Sequence, residues 1–252
     1  MRTPLAVACA TLALPLVLSG CAAPAGTAPA IGQLVLATAD DLGEFNPVAG
    51  YSSNGVSPLY EGLLRPAAVD DTQLPSLEPA LAAEAPQVSD DGRTWTVQLR
   101  DGVRFHDGTD LDSSDVAATY RAVIDPASAS PIADDYQLID RIDTPDPLTV
   151  QFHLDAPNRE FTSRLLLGIA PSERLDGGAA TDSTLNTDPA GTGPFLLERL
   201  SPTEAVLAAN ADYRDGAPEL DTVVLRSVPD DNARAQQLLA GQVHGAALPP
   251  RL

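Results

Sequence analysis

The chain contains no lysine. Arginine supplies all 15 basic side chains, set against 35 aspartates and glutamates, for a formal charge of −20. Such acidity repels phosphate backbones, so nucleic acid is not expected as a partner. A self-repelling, soluble exterior accounts for the excess equally well, and no substrate charge is read from it. Lysine's absence beside abundant Ala, Asp and Arg suggests a GC-rich genome. Cysteine is almost missing too, with only Cys9 and Cys21 present. Cys9 falls in an apolar leader, which leaves the mature chain no pair to form a disulfide, and its stability must come from burial. Internal repeats and heptads are also missing.

Several catalytic and cofactor patterns are lacking. There is no GxSxG elbow, and no serine stands in a strand-turn-helix setting, which argues against a hydrolytic triad. His106, His153 and His244 lie in different elements and do not suggest a metal cage. Gly191 and Gly193 have no third glycine after them, and Pro194 would interrupt a helix start, so they are not a dinucleotide fingerprint. Asp107, Asp110, Asp112 and Asp115 lack the central Gly and terminal Glu of a calcium-binding loop. Turn and capping duties suffice for them. No catalytic residue, metal site or cofactor is expected.

At the N-terminus, Arg2 precedes an apolar run through Leu18 that is too short to span a bilayer as a mature helix. Leu18, Ser19, Gly20 and Cys21 then resemble the lipobox of bacterial lipoproteins. Residues 1–20 are therefore expected to be a signal peptide. Cys21 would be lipidated, with residues 21–30 as an Ala-, Pro- and Gly-rich tether. Losing Arg2 takes the charge from −20 to −21. At roughly 0.8 kcal/mol per buried CH₂, two or more acyl chains anchor a protein firmly.

Within the mature chain, residues 33–39 read as a strand apolar on both faces, hence central in a sheet. Residues 59–64 read as a short helix. Trp95, Val97 and Leu99 alternate with polar residues, Asp101 and Gly102 turn the chain, and Val103 and Phe105 resume the apolar face, which predicts a hairpin. Asp112 is placed to cap a helix carrying Val116, Tyr120, Val123 and Ile124, with Asp115 near its positive end. Residues 140–143 and 148–154 predict a second hairpin with His153 facing outward. Residues 177–189 read as a loop, and 195–200, 206–209 and 222–228 as strands. Residues 233–240 read as a helix capped by Asp230 or Asp231 and stopped by Gly241.

The run from Asp90 to Asp115, DDGRTWTVQLRDGVRFHDGTDLDSSD, resembles the LRxGVxFHDG region of peptide/nickel-type (family 5) extracytoplasmic solute-binding lipoproteins of ABC importers. A second block is similar: Gly191 to Phe195, Asn210, Asp212, Tyr213, Gly216, Pro218, Leu220, Asp221, Pro229, Asp230, Asn232 to Arg234, and Leu239 to Gly241. A weaker third comprises Phe45 to Pro47 and Tyr60 to Leu63. Asn46 stands where the family usually has Asp, and His244 near where many relatives have Asp.

The resemblance implies an α/β, periplasmic-binding-protein-like fold (type II, cluster C) with an inserted small α+β domain. On that pattern, residues 31–65 and 190–252 belong to an incomplete lobe one, and residues 66–189 to the insert. The second lobe is missing, so the sequence is expected to be the N-terminal portion of a receptor, as a fragment or a truncated gene. A cleft that closes between two lobes cannot close with one. The resemblance places His106 and Asp107 in a turn of the insert, away from the ligand, in a structural role. It makes Gly50, Tyr51, Ser52, Ser53 and Asn54 the ligand-binding candidates, since relatives line their cleft with the segment after the motif matched here by Phe45 to Pro47; a solvated loop is the plainer alternative. The expected partners are a small solute of peptide type, an ABC permease with its ATPase, and the outer face of the cell membrane through the lipid, with the protein a monomer. A sensory or pheromone-binding lipoprotein of the same fold remains an alternative, as does a secreted hydrolase. Neighbouring permease genes would favour transport.

Overall fold

A computed structural model of the chain describes residues 32–68 and 76–250; the leader, Cys21 and its tether lie outside the described residues. Strand β1 (Gln33–Thr38) lies between two parallel neighbours, β10 (Thr222–Ser227) and the short β11 (Gly245–Ala246). Strands β8 (Phe195–Ser201) and β9 (Glu204–Ala209) continue the sheet in antiparallel fashion, giving the order β11-β1-β10-β9-β8. Both faces of this sheet are covered, as a strand apolar on both sides requires. Leu34 packs toward Phe45, Leu59, Tyr60, Leu207 and Val223, while Val35 and Ala37 join Val206, Val224 and Val243 on the other face. Helix α2 (Asp231–Leu239) starts at an Asp230 cap and contributes Leu238 to that second face. It begins two residues earlier than the apolar spacing indicates.

The middle of the chain builds a second layer. Strands β4 (Gln87–Val88), β5 (Thr94–Gln98), β6 (Ile139–Asp146) and β7 (Thr149–Leu154) form an antiparallel sheet ordered β4-β5-β7-β6. Helix α1 (Ser113–Ile124) packs on it. Asp112 caps the helix by accepting from Ser114 N–H, and Asp115 returns the bond to the Asp112 N–H, a reciprocal capping box. Val116, Ala117, Tyr120 and Val123 are buried at helical spacing. Tyr120 meets Phe152 edge-on at 4.8 Å between ring centres, and Phe161 joins Phe152 at 5.4 Å. This is the favourable geometry for aromatic quadrupoles. A small pair, β2 (Leu64–Pro66) and β3 (Leu77–Pro79), stands apart from both sheets.

Two expectations fail. Strand β5 pairs with β7, Trp95 opposite Phe152, and not with residues 103–105. The turn at Asp101 and Gly102 is present, with Gly102 at φ +73°, but Val103 and Phe105 pair locally with Leu111 and Thr109. Alternation fixes which face a strand buries, not which strand lies beside it. Residues 59–63 form no helix, and Leu64 enters β2. Their carbonyls are taken from outside: Leu59 by Gly193 N–H, Glu61 by Ile169, Gly62 by Leu81, and Leu63 by Ala80 and Ala82. These long-range acceptors replace helical i+4 bonding and leave Leu59, Tyr60, Leu63 and Leu64 all buried. The loop at 177–189 contains two single 3₁₀ turns, Ala180–Asp182 and Thr184–Asn186.

Candidate functional site

The loop after residues 47–49 begins at Gly50, whose φ of +99° belongs to the left-handed region that glycine adopts without penalty. Tyr51 is half-buried, its ring edge-on to Phe45 at 5.2 Å and to Tyr60 at 6.1 Å. Burial pushes its hydroxyl pKa up, and a hydrogen bond with Ser57 offsets part of the rise. Ser52 is buried in the left-handed region at φ +62°, and its carbonyl accepts from Gly168 N–H at 3.3 Å. Its hydroxyl finds no partner among the described residues. Ser53 is half-buried and Asn54 exposed, with the Asn54 side chain accepting from Val56 N–H at 3.0 Å. Val56 is 69% exposed. Of the five candidates, Asn54 alone is exposed, while Tyr51 and Ser52 are turned into the protein.

The base of this loop is held by the return segment Gly191, Thr192 and Gly193. Gly193 N–H donates to Leu59 O at 3.0 Å, and Phe195 N–H to Pro58 O at 2.9 Å. The approach is so close that a Cβ on Gly191 would fall 2.0 Å from Leu59 O, and one on Gly193 2.5 Å from Pro58 O. Only glycine fits either position.

His106 clasps the same segment. Its backbone N–H donates to Gly191 O at 2.8 Å, Gly191 N–H donates to Nδ1 at 3.3 Å, and Nε2 reaches Gly193 O at 2.9 Å. Nδ1 therefore accepts while Nε2–H donates, which fixes the neutral tautomer. Burial lowers the imidazole pKa, and the Gly193 bond, Asp107 and Glu61 pull the other way. The nearby aspartates serve locally. Asp107 accepts from Thr109 N–H and Oγ1, Asp110 pairs with Arg104 at 3.0 Å, and Asp115 also accepts from Ser172 N–H. Among the described residues no group of three or more His, Cys, Asp or Glu side chains is placed to hold a metal.

Glu61 is the most heavily bonded buried charge in this region. Both of its oxygens receive the Arg214 guanidinium, with Nη2 at 2.7 Å from Oε1 and Nη1 on Oε2. Tyr213 donates at 2.9 Å and Thr192 at 3.1 Å. Burial pushes the Tyr213 hydroxyl up to about 12, with the Glu61 charge adding to it. Burial works against the Arg214 charge, but bonding to Glu61 outweighs it and the pKa is raised. Arg214, Tyr213, Thr192 and His106 line a hollow of about 900 Å³ together with Phe105, Leu111 and Leu148. The loop at 50–54 does not border it. Sequence reading missed Arg214 entirely and gave Glu61 no role. The available signal was one carboxylate inside the apolar run Leu59 to Leu64, since a buried charge needs a partner.

The described fold thus comprises a sheet buried on both faces, an antiparallel sheet and helix inserted in the chain between its strands, and a tight glycine return. The chain belongs to the bacterial extracellular solute-binding proteins, family 5, whose "Middle" profile matches residues 76–251. It is 34% identical to Protein XP55 of Streptomyces lividans over 99% of this chain and 46% of that protein. It is 35% identical to the Glutathione-binding protein GsiB of Escherichia coli (strain K12) over 65% of this chain and 32% of that protein. Among solved structures, the ABC transporter-associated periplasmic binding protein DppA from Helicobacter pylori, in complex with peptide STSA, superposes at a TM-score of 0.70 with 27% identity. That match covers 84% of this chain and 45% of that one. The chain thus spans under half the length of these relatives. Its fold is periplasmic-binding-protein-like, as the resemblance implied. No described helix is long and apolar enough to cross a membrane.

Proposed function

We propose that this chain is part of a lipid-anchored receptor that captures a short peptide or related solute outside the membrane and delivers it to an ABC permease. Capture itself would favour the closed form of the receptor. Residues 31–65 and 190–252 are taken as lobe one and 66–189 as the insert, with one wall of the cleft supplied here. The observation carrying the reading is family membership combined with a loop suited to contact. In the 50–54 loop, the carbonyls of Tyr51, Ser53 and Asn54 accept no backbone hydrogen bond among the described residues, and such groups can pair with an extended peptide as a sheet edge does. DppA's peptide and GsiB's glutathione support the solute class. No reaction on the solute is proposed.

Equilibrium dialysis of labelled short peptides against the wild type, Asn54→Ala and Tyr51→Phe tests the loop. Loss of one side-chain contact worth about 1.4 kcal/mol weakens binding about tenfold, and unchanged affinity in both variants removes these two side chains from the site. Anchoring is tested separately: Cys21→Ala moves the protein from the membrane to the soluble fraction, and unaltered partitioning contradicts lipidation.

A further inference from the structure

We propose that His106 is a proton-sensitive clip fastening the 101–112 turn to the Gly191–Gly193 return segment. Both ring nitrogens are committed to one backbone stretch, Nδ1 as acceptor from Gly191 N–H and Nε2–H as donor to Gly193 O. Protonation puts a hydrogen on Nδ1, so two donors face each other, the Gly191 bond is lost, and a cation is left in a largely buried site. The backbone bond from His106 N–H to Gly191 O survives, so the clip loosens without being abolished.

The surrounding charges act in both directions. Asp107 on the same turn and Glu61 behind the return segment favour the imidazolium. Glu61 is engaged by Arg214, whose own charge opposes it. Arg104, Asp110 and Asp112 of the turn, with Asp212, line the same hollow. Burial is the largest influence and holds the folded imidazole below its ordinary value of 6.5. The unfolded or opened form therefore binds the proton more readily. Stability contributed by the clip is full above about pH 6.5 and is lost as pH falls toward the folded value. The other histidines differ: His153 is paired with Asp143 at 3.0 Å, and the exposed His244 accepts from Val35 N–H at 2.9 Å on a distant sheet edge.

Because His244 also accepts a backbone bond, the readout is local. Hydrogen exchange at the Gly191 amide is followed from pH 7.5 to 5, corrected for its intrinsic rate, in the wild type and in His106→Gln. Glutamine offers one donor and one acceptor but does not titrate. The wild-type opening constant is expected to rise by up to about tenfold per pH unit below 6.5, and the variant's to stay flat. A flat wild-type profile, or the same slope in both proteins, overturns the proposal. If the variant does not fold, an NMR titration of the His106 ring decides: a midpoint below 6.5 that tracks Gly191 exchange supports the clip, and a midpoint at or above 6.5 refutes it.

Discussion

Arg214→Ala should be among the most damaging single changes outside the aromatic core. The Glu61 side chain is 8% exposed and Arg214's 15%, so neither charge has much access to water. Removing the guanidinium leaves Glu61 with only the Tyr213 and Thr192 hydroxyls. An uncompensated buried charge costs about 3–5 kcal/mol. In urea at pH 7, with a slope of about 2–3 kcal/mol/M, the midpoint should fall by roughly 1–2.5 M at unchanged slope. Adding Glu61→Gln to that variant removes the stranded charge and should restore about 1–3 kcal/mol, the coupling expected of residues in one network. The reasoning is refuted if Arg214→Ala costs under about 1 kcal/mol, the worth of an exposed ion pair, or if the double variant is no more stable than the single.

Two further changes probe the frame. Gly193→Ala drives a Cβ to 2.5 Å from Pro58 O and 2.8 Å from Leu59 O; a loss of about 3 kcal/mol, seen as a melting temperature lowered by about 6–12 °C, is expected, and an unchanged melt would disprove the close approach. Asp112→Ala removes both the Ser114 N–H acceptor and half of the capping box and should cost about 1 kcal/mol in chemical denaturation; no loss would mean the cap is replaced by water.

Local chemistry was legible in the sequence where one residue type performs one job. Asp112 with Asp115 announces α1, Asp230 announces α2, the run 33–39, apolar on both faces, gives β1 as a central strand, and the alternation in 148–154 gives β7 and the face it buries. Pairing between distant segments was not legible. Nothing in residues 94–98 indicates that β7, more than 50 residues away, is the neighbour, or that residues 59–63 will surrender their carbonyls to three other segments. The same limit hid the candidate site's supports. His106 and the return glycines were visible as motifs, but their contact across 85 residues was not. The Glu61–Arg214 pair, 153 residues apart, could be sensed only as a charge in need of a partner.

The most direct test of the account is a calorimetric titration of a mixed short-peptide pool into the purified protein, followed by mass analysis of the recovered peptides. The proposed receptor role predicts every peptide returned intact, and saturable heat far weaker than the same pool gives with a two-lobed family member, because only one wall of the cleft is supplied here. Affinity equal to that of the two-lobed protein, or peptides cleaved in proportion to protein and time, would contradict it.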